Sequence, residues 1–544
     1  TVKRFKLFLA MAALACAIGL TVKYGSTYRP VVEPVREIEE IWALEDAREE
    51  SGEPLVTRLF CNGIPMAYDA ENNVFYGSLG LENGAQWPEI KLTASEEAAK
   101  GLSLCFADDY GFDDCDTAIR EGYSYQIFAY TDTAYSYAEV VFTGLPLVNV
   151  TAEQTIERED VPAQIEIALA AEGLQTNGRI HKRGGASILN DKVGYKLEFT
   201  RTTDGKKKIY REIPGMGTDS QVILLPMNAL DTTMMRDRLS WALYARLTRR
   251  DEPFSARKTQ YCELFLNGEY RGVYLMLEPF SVRQEVAKAG EERLTTDSVY
   301  RTAVISLSHG RPCMEDPYSA ATGFELYYPM DGEPDFSPLA DYFALLGETD
   351  DAAFMRRAAQ IIDLDSALRY DVVLQLFGLT DNVINNMYTW AQNSRGHTRY
   401  RFDFWDLDVS WGLKRDEIGE MHENWVFFPL VDRLLRADEE GGVRRRYGEI
   451  YREVREKAFD AETVEALVGQ YAHELNDSGA MARNADRWET ENYAADGYEL
   501  VAFAAERIAL LDEPVRAMSA GEEIDLRFLE KTNYDDKGTP LTEE

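Results

Sequence analysis

The order of apolar and polar positions divides the chain into a strand-rich front and a helix-rich back. Between residues 54 and 150, short apolar runs at 55–60, 74–76, 90–92, 125–130 and 139–143 alternate with turns, a pattern that predicts a small β-sandwich. From 151 to 280, strand patterns at 164–169 and 194–199 precede a helix over 233–248, where Met234, Leu239, Leu243 and Leu247 recur at helical spacing. The run 263–278 then reads as a β-hairpin around an Asn267-Gly268 turn. Beyond Pro279 helical periodicity dominates, at 338–346, 351–362, 365–379, 424–436, 441–458, 461–476 and 495–518. The fold class is therefore α+β, with a β-rich domain at 54–150, a mixed lobe at 151–280, a helical lobe at 281–518 and an acidic tail at 519–544.

The first residues follow a different pattern. Lys3, Arg4 and Lys6 precede an apolar run over 7–22 that Lys23 closes, so residues 1–23 read as an export signal or membrane anchor. Ala13-Leu14-Ala15-Cys16 is an imperfect lipobox, and the apolar run continues past the cysteine. An uncleaved anchor is favoured over a cleaved signal or a lipoprotein signal. Contact with a membrane is expected through this segment only, with the remaining domains extracytoplasmic, or secreted if the signal is cleaved. Residues 24–53 read as a polar stalk that includes a short helix over 38–48.

Composition narrows the possible partners. The 544 residues carry a formal charge of −36, which repels nucleic acid and anionic lipid and would attract a basic polypeptide. Six cysteines in this length do not make a disulfide scaffold. Cys105 and Cys115 bracket an acidic loop, where a bridge and two thiols are both compatible with the pattern. The five histidines are scattered, and no Cys-x-x-Cys pair suggests zinc. Asp108, Asp109, Asp113, Asp114 and Asp116 have no recognised calcium-loop spacing, so they read as a solvated turn.

Two acidic motifs carry the candidate chemistry. Asp381 is followed five positions later by Asn386, and Asp406-Leu407-Asp408 closes the run 400–408. Phosphoryl transfer requires a carboxylate at the attacking hydroxyl and oxygen ligands for Mg²⁺ on the phosphates, and protein kinases supply these with an Asp-x-x-x-x-Asn loop and a later Asp. Asp381 is the candidate catalytic residue, and Asn386, Asp406 and Asp408 are the candidate metal ligands. Alternation of Phe402, Phe404 and Leu407 with polar residues predicts Asp406 and Asp408 on one face of one strand. Asp406-Leu407-Asp408 equally fits the Asp-x-Asp of metal-dependent glycosyltransferases, although no Rossmann-like pattern precedes it. Lys192, ahead of the strand at 194–199, and the Arg183-Gly184-Gly185-Ala186-Ser187 turn are candidate phosphate contacts.

Over residues 160–515 the chain resembles the CotH family of spore-coat kinases, atypical members of the protein-kinase-like fold. The resemblance rests on Arg183–Ser187, on 192–197, on the run from Asn228 to Asp237, on 266–278, on Asp381 to Tyr388 and on Asp406 to Gly412, all in the family's order. The chain has Arg-Gly-Gly-Ala-Ser where the family usually has Arg-Gly-Asn-Ser-Ser, and only Lys192 of the family's lysine pair. The resemblance implies a bilobal fold and ATP- and Mg²⁺-dependent phosphorylation of protein Ser/Thr at the cell envelope or spore surface. It makes Asp381 catalytic and Asp406 a metal ligand, with Arg183, Lys192 and Glu278 on the nucleotide side. The charge suggests a basic, Ser/Thr-rich substrate. The rival reading is a non-catalytic surface scaffold or adhesin on the same fold.

Overall fold

The computed structural model describes residues 31–36, 38–80, 90–95, 101–107, 119–184, 186–227, 231–302, 323–329, 335–413, 425–426 and 428–522. The segment 1–23, the Cys115 position, the acidic turn near 108–116 and most of the tail lie outside them. Among the described residues, no helix is long and apolar enough to cross a membrane.

The front of the chain forms two sheets over one core. A seven-stranded sheet runs in the order 32–36, 103–107, 124–130, 134–143, 74–78, 67–69, with 49–50 also paired to 134–143. A three-stranded sheet of 64–65, 59–61 and 92–94 packs on it, and Leu59, Leu92, Phe75, Ile127 and Val140 are buried together between the two. The described part of the stretch read as a stalk, 31–36 and 38–53, belongs to this unit. Its strand Val32–Arg36 pairs in parallel with Ser103–Ala107, and its helix Ile38–Asp46 buries Ile41 against Cys105 and Phe128 on the other face of the large sheet. The helix was legible in the polar sequence, but the strand pairing that docks it was not.

Seven strands then close into a barrel. They are β1 (Leu147–Thr151), β2 (Val161–Leu169), β3 (Glu172–Arg183), β4 (Gly194–Thr200), β5 (Gln221–Leu225), β6 (Thr259–Leu266) and β7 (Glu269–Leu277). The order around the barrel is β1-β2-β3-β4-β5-β7-β6, and a parallel pairing of β1 with β6 closes it. The boundary read at residue 150 falls inside β1. The β6–β7 hairpin turns at Asn267 (φ 55°) and Gly268 (φ 77°), the two left-handed residues that a type I′ turn requires. Val150, Ile165, Leu197, Leu264 and Tyr274 fill the barrel. Ile223, Tyr261, Val273 and Leu275 face outward onto α1 (Arg236–Tyr244) and the helical part.

Beyond Leu277 the chain passes through residues 278–281 into the helix Val282–Lys288. An antiparallel four-stranded sheet follows, with β8 (Ser298–Thr302), β9 (Phe324–Tyr328), β10 (Met387–Ser394) and β11 (His397–Phe404) in the order β9-β8-β10-β11. Of the helices that follow, α2 (Leu364–Phe377) and α3 (Asp381–Ile384) pack on this sheet, α5 (Ala480–Trp488) packs on β7 of the barrel, and α4 (Ala461–Asp477) and α6 (Tyr498–Ala520) pack on other helices. Asp363 caps α2 by accepting the Ser366 N–H at 3.2 Å, and Gly378 ends it in the left-handed conformation. A Cβ at Gly378 would lie 2.7 Å from the Phe503 ring, so both backbone conformation and packing demand glycine there.

Candidate active site

The turn at Gly378 sets the direction in which the chain leaves α2 and starts α3 at Asp381. Asp381 is 3 % exposed, and its carboxylate accepts hydrogen bonds from the side-chain amides of Asn385 (3.1 Å) and Asn386 (2.8 Å). Asn382 faces the other way and donates to the Trp405 carbonyl at 2.7 Å. Its own carbonyl accepts the buried Tyr370 hydroxyl at 2.6 Å. The loop is thus fastened on both sides before the chain enters β10.

The β10–β11 hairpin brings the two acidic motifs together. Met387 pairs with Phe404, and one step further the Trp405 N–H donates to the Asn386 carbonyl at 3.0 Å. Asn386 (φ 58°) and Asp406 (φ 59°) sit beside each other at the base of this hairpin, both in the left-handed region. Non-glycine residues held there cost of order 1–3 kcal/mol each and tend to cluster at functional sites. The ladder ends at Phe404, so Asp406 and Asp408 do not share a strand face, contrary to the alternation in the sequence. Leu407 is fully buried, and Ser410 turns back to donate to its carbonyl at 2.7 Å. Asp406 and Asp408 flank that buried anchor from a loop.

A fourth carboxylate, beyond Asp381, Asp406 and Asp408, comes from α1. Asp237 is buried, and its carboxyl is pushed up to about 8 by burial and by the nearby Asp406 and Asp231 carboxylates. The Leu407 N–H opposes that rise by bonding to it, which places Asp237 against the Asp406 loop. Asp237 Oδ1 has no hydrogen-bond partner among the described residues. Its neighbour Arg236 locks the assembly: its Nε donates to the Ser410 carbonyl at 3.1 Å, and its guanidinium pairs with Asp231 and Glu499. The sequence signal was present in the run 228–237, but only the fold shows that it docks on residues 406–410.

Arg183, Lys192 and Glu278, expected on the nucleotide side, lie in or next to strands of the barrel. Lys192 is buried, and its ammonium donates to the Val273 carbonyl (2.6 Å) and to Asn484 Oδ1 of α5 (2.8 Å), 5.0 Å from the Tyr274 ring centre. Burial drives its pKa well below the usual lysine value. Arg183 ends β3 opposite Gly194. Glu278 follows β7 and accepts from Arg250 (2.6 Å) and the Lys258 N–H (3.0 Å). None of the three is bonded to Asp381, Asn386, Asp406 or Asp408 among the described residues.

The donor set around Asp381 and Asp406 is made of oxygens, which suits a hard cation such as Mg²⁺. Among the described residues, no three His, Cys, Asp or Glu side chains converge as a metal cluster. Mg²⁺ does not need such a cage, since it commonly takes one or two carboxylates and fills its octahedron with water and phosphate oxygens. The unpartnered Asp237 Oδ1 and the left-handed Asn386–Asp406 pair fit that requirement.

No curated protein matches the chain. The family model described as CotH kinase protein matches residues 180–511, a span that holds every candidate residue discussed above. With more than half of its length matched, the chain belongs to the CotH family.

Proposed function

We propose that the protein is an ATP- and Mg²⁺-dependent protein Ser/Thr kinase of the cell envelope or spore surface. The observation that carries the reading is the base of the β10–β11 hairpin, where Asp381–Asn386 and Asp406 meet beneath Asp237. In this reading Asp381 orients the substrate hydroxyl and accepts its proton, held in place by the Asn385 and Asn386 amides. Asn386 and Asp406 would hold Mg²⁺, with Asp408 and Asp237 beside them. The cation would neutralise charge on the transferred phosphoryl group. Phe280 stacks on Tyr388 at 4.7 Å and lies 5.7 Å from the Trp405 ring, so the segment after β7 is packed against the residue preceding Asp406. The substrate side is a basic Ser/Thr-containing polypeptide, matched to the chain's charge of −36.

One observation favours the rival scaffold reading. Lys192 is held by two neutral acceptors inside the fold rather than presented to the acidic group. The two readings separate in one experiment, in which the full chain is incubated with labelled ATP and a lysine-rich Ser/Thr protein, with Mg²⁺ or with EDTA. Mg²⁺-dependent transfer that is lost in Asp381→Asn supports the kinase. Binding of ATP with no transfer to any acceptor supports the scaffold.

A further inference from the structure

A cavity of about 380 Å³ lies behind α1. It is walled by α1, by residues 255–259 leading into β6, and by Gln470 and Tyr471 of α4. Arg238, Ala242 and Ala245 face it, about a third of a turn around α1 from Asp237, Ser240 and Tyr244. It opens on a different face of α1 from the acidic site, and Trp241, which lines the cavity and also reaches Asp237, lies between the two.

The lining is unusual for this chain. Four cations, Arg238, Arg250, Arg257 and Lys258, border the cavity together with the Thr248 and Ser255 hydroxyls, and no Asp or Glu lines it. The protein as a whole carries −36, so four cations around one void are not what its composition would place there. Each arginine is oriented by a carboxylate outside the lining: Arg238 by Glu474, Arg250 by Glu278 and Arg257 by Glu285. Each of these pairs uses only part of a guanidinium that has five N–H donors. Arg238 is also clamped between the Tyr261 and Tyr471 rings, 4.2 Å from each. Lys258 makes no ion pair among the described residues, and its ammonium donates only to the Met216 carbonyl at 3.3 Å. Guanidinium donors held by carboxylates outside the lining, beside an ammonium with no ion pair among the described residues, are the chemistry that recognises phosphate.

We propose that this cavity binds an oxyanion of the phosphate class, either a free phosphate monoester or a phosphorylated side chain. Its volume lies within the range of small-ligand pockets. The inference does not depend on the kinase reading.

The test uses the full chain in EDTA, which removes metal-dependent binding at the acidic site, at constant ionic strength. Inorganic phosphate, a phosphoserine peptide and its unphosphorylated counterpart are titrated by calorimetry and by thermal shift, with chloride as the control anion. Wild type should bind phosphate or the phosphopeptide and melt higher with it. Lys258→Glu should weaken that affinity by at least about tenfold, roughly the loss of one charge-assisted hydrogen bond. Arg250→Gln, whose side chain is more than half exposed, provides the same reading should Lys258→Glu fail to fold. Tighter binding of inorganic phosphate than of the phosphopeptide identifies a free ligand, and the reverse identifies a phosphorylated side chain. No phosphate-specific binding, or equal binding by wild type and a folded variant, overturns the proposal.

Discussion

The Asn386 side-chain amide donates to Asp381 Oδ2 at 2.8 Å, so a residue proposed to hold the metal also holds the residue proposed to take the proton. Asp381→Asn should therefore abolish phosphoryl transfer by a factor of about 10²–10⁴ while leaving the melting temperature and ATP affinity nearly unchanged. Asn386→Ala should lose both transfer and Mg²⁺·ATP affinity. Steady-state rates and calorimetry on the two variants check this. Wild-type transfer by Asp381→Asn would remove that residue from the chemistry.

Asp406→Asn should weaken ATP binding in Mg²⁺ but not in EDTA, because the change removes a proposed cation ligand and leaves the loop's packing intact. Leu407 and Ser410 hold that loop independently of the Asp406 carboxylate. Calorimetric titrations in the two buffers test this. Equal affinities for wild type and variant in Mg²⁺ would place the metal elsewhere.

A basic acceptor should be preferred, and the preference should fade with salt, since a chain of charge −36 attracts it over a Debye length of about 8–10 Å. A peptide array phosphorylated at low and high ionic strength measures this. Equal labelling of acidic and basic peptides would contradict it.

Two fully buried carboxylates in the helical part give a pH dependence of stability. Asp371 accepts from Tyr447 (2.7 Å) and Gln375 (3.2 Å), and burial pushes its carboxyl up to about 7. Asp432, raised well above the carboxylate range by burial and by Asp371, accepts from Trp425 at 2.8 Å and leaves Oδ2 without a partner among the described residues. The folded state keeps these protons at pH values where the unfolded chain has released them. Stability should therefore fall as pH rises from about 4 through 7. Asp432→Asn should gain stability relative to wild type as pH rises from about 5 to about 8, because the amide has no proton to lose. Thermal melts at the two pH values read the difference, and a pH-independent difference would refute the idea that the folded state retains these protons.

Arg483 on α5 donates to both oxygens of Glu263 on β6 at 2.8–3.0 Å, and Glu263 is fully buried. Arg483→Met should cost about 3–5 kcal/mol by leaving that carboxylate unpaired, and Glu263→Gln in the same chain should recover part of the loss. Denaturant melts of the single and double variants test both parts.

Local signals carried much of what the sequence revealed. The Asn267-Gly268 turn and the periodic helices of the back half each act over a few residues, and the structure forms both, while the β10–β11 hairpin brings Asn386 against Trp405, the residue before Asp406. What the sequence did not show depends on distant partners. The docking of Asp237 on Leu407, the burial of Lys192 against Asn484 and the pairing of Val32–Arg36 with Ser103–Ala107 are all set by tertiary contacts. The strand expected to continue through Asp408 stops at Phe404 because Asp406 adopts a left-handed backbone, which alternation of side chains does not encode.

The parallel pairing of β1 with β6 has a practical consequence. The family match begins at residue 180, inside β3, yet the barrel is completed by β1 and β2, which precede that point. A protein trimmed to the matched span would lose β1, β2 and most of β3 and bare the edges of β6 and β4, along with the apolar interior they enclose. Such exposed edges and apolar surface invite aggregation. Recombinant versions intended for biochemistry should start upstream of Leu147, and insolubility of shorter ones would report a broken barrel rather than an inactive enzyme.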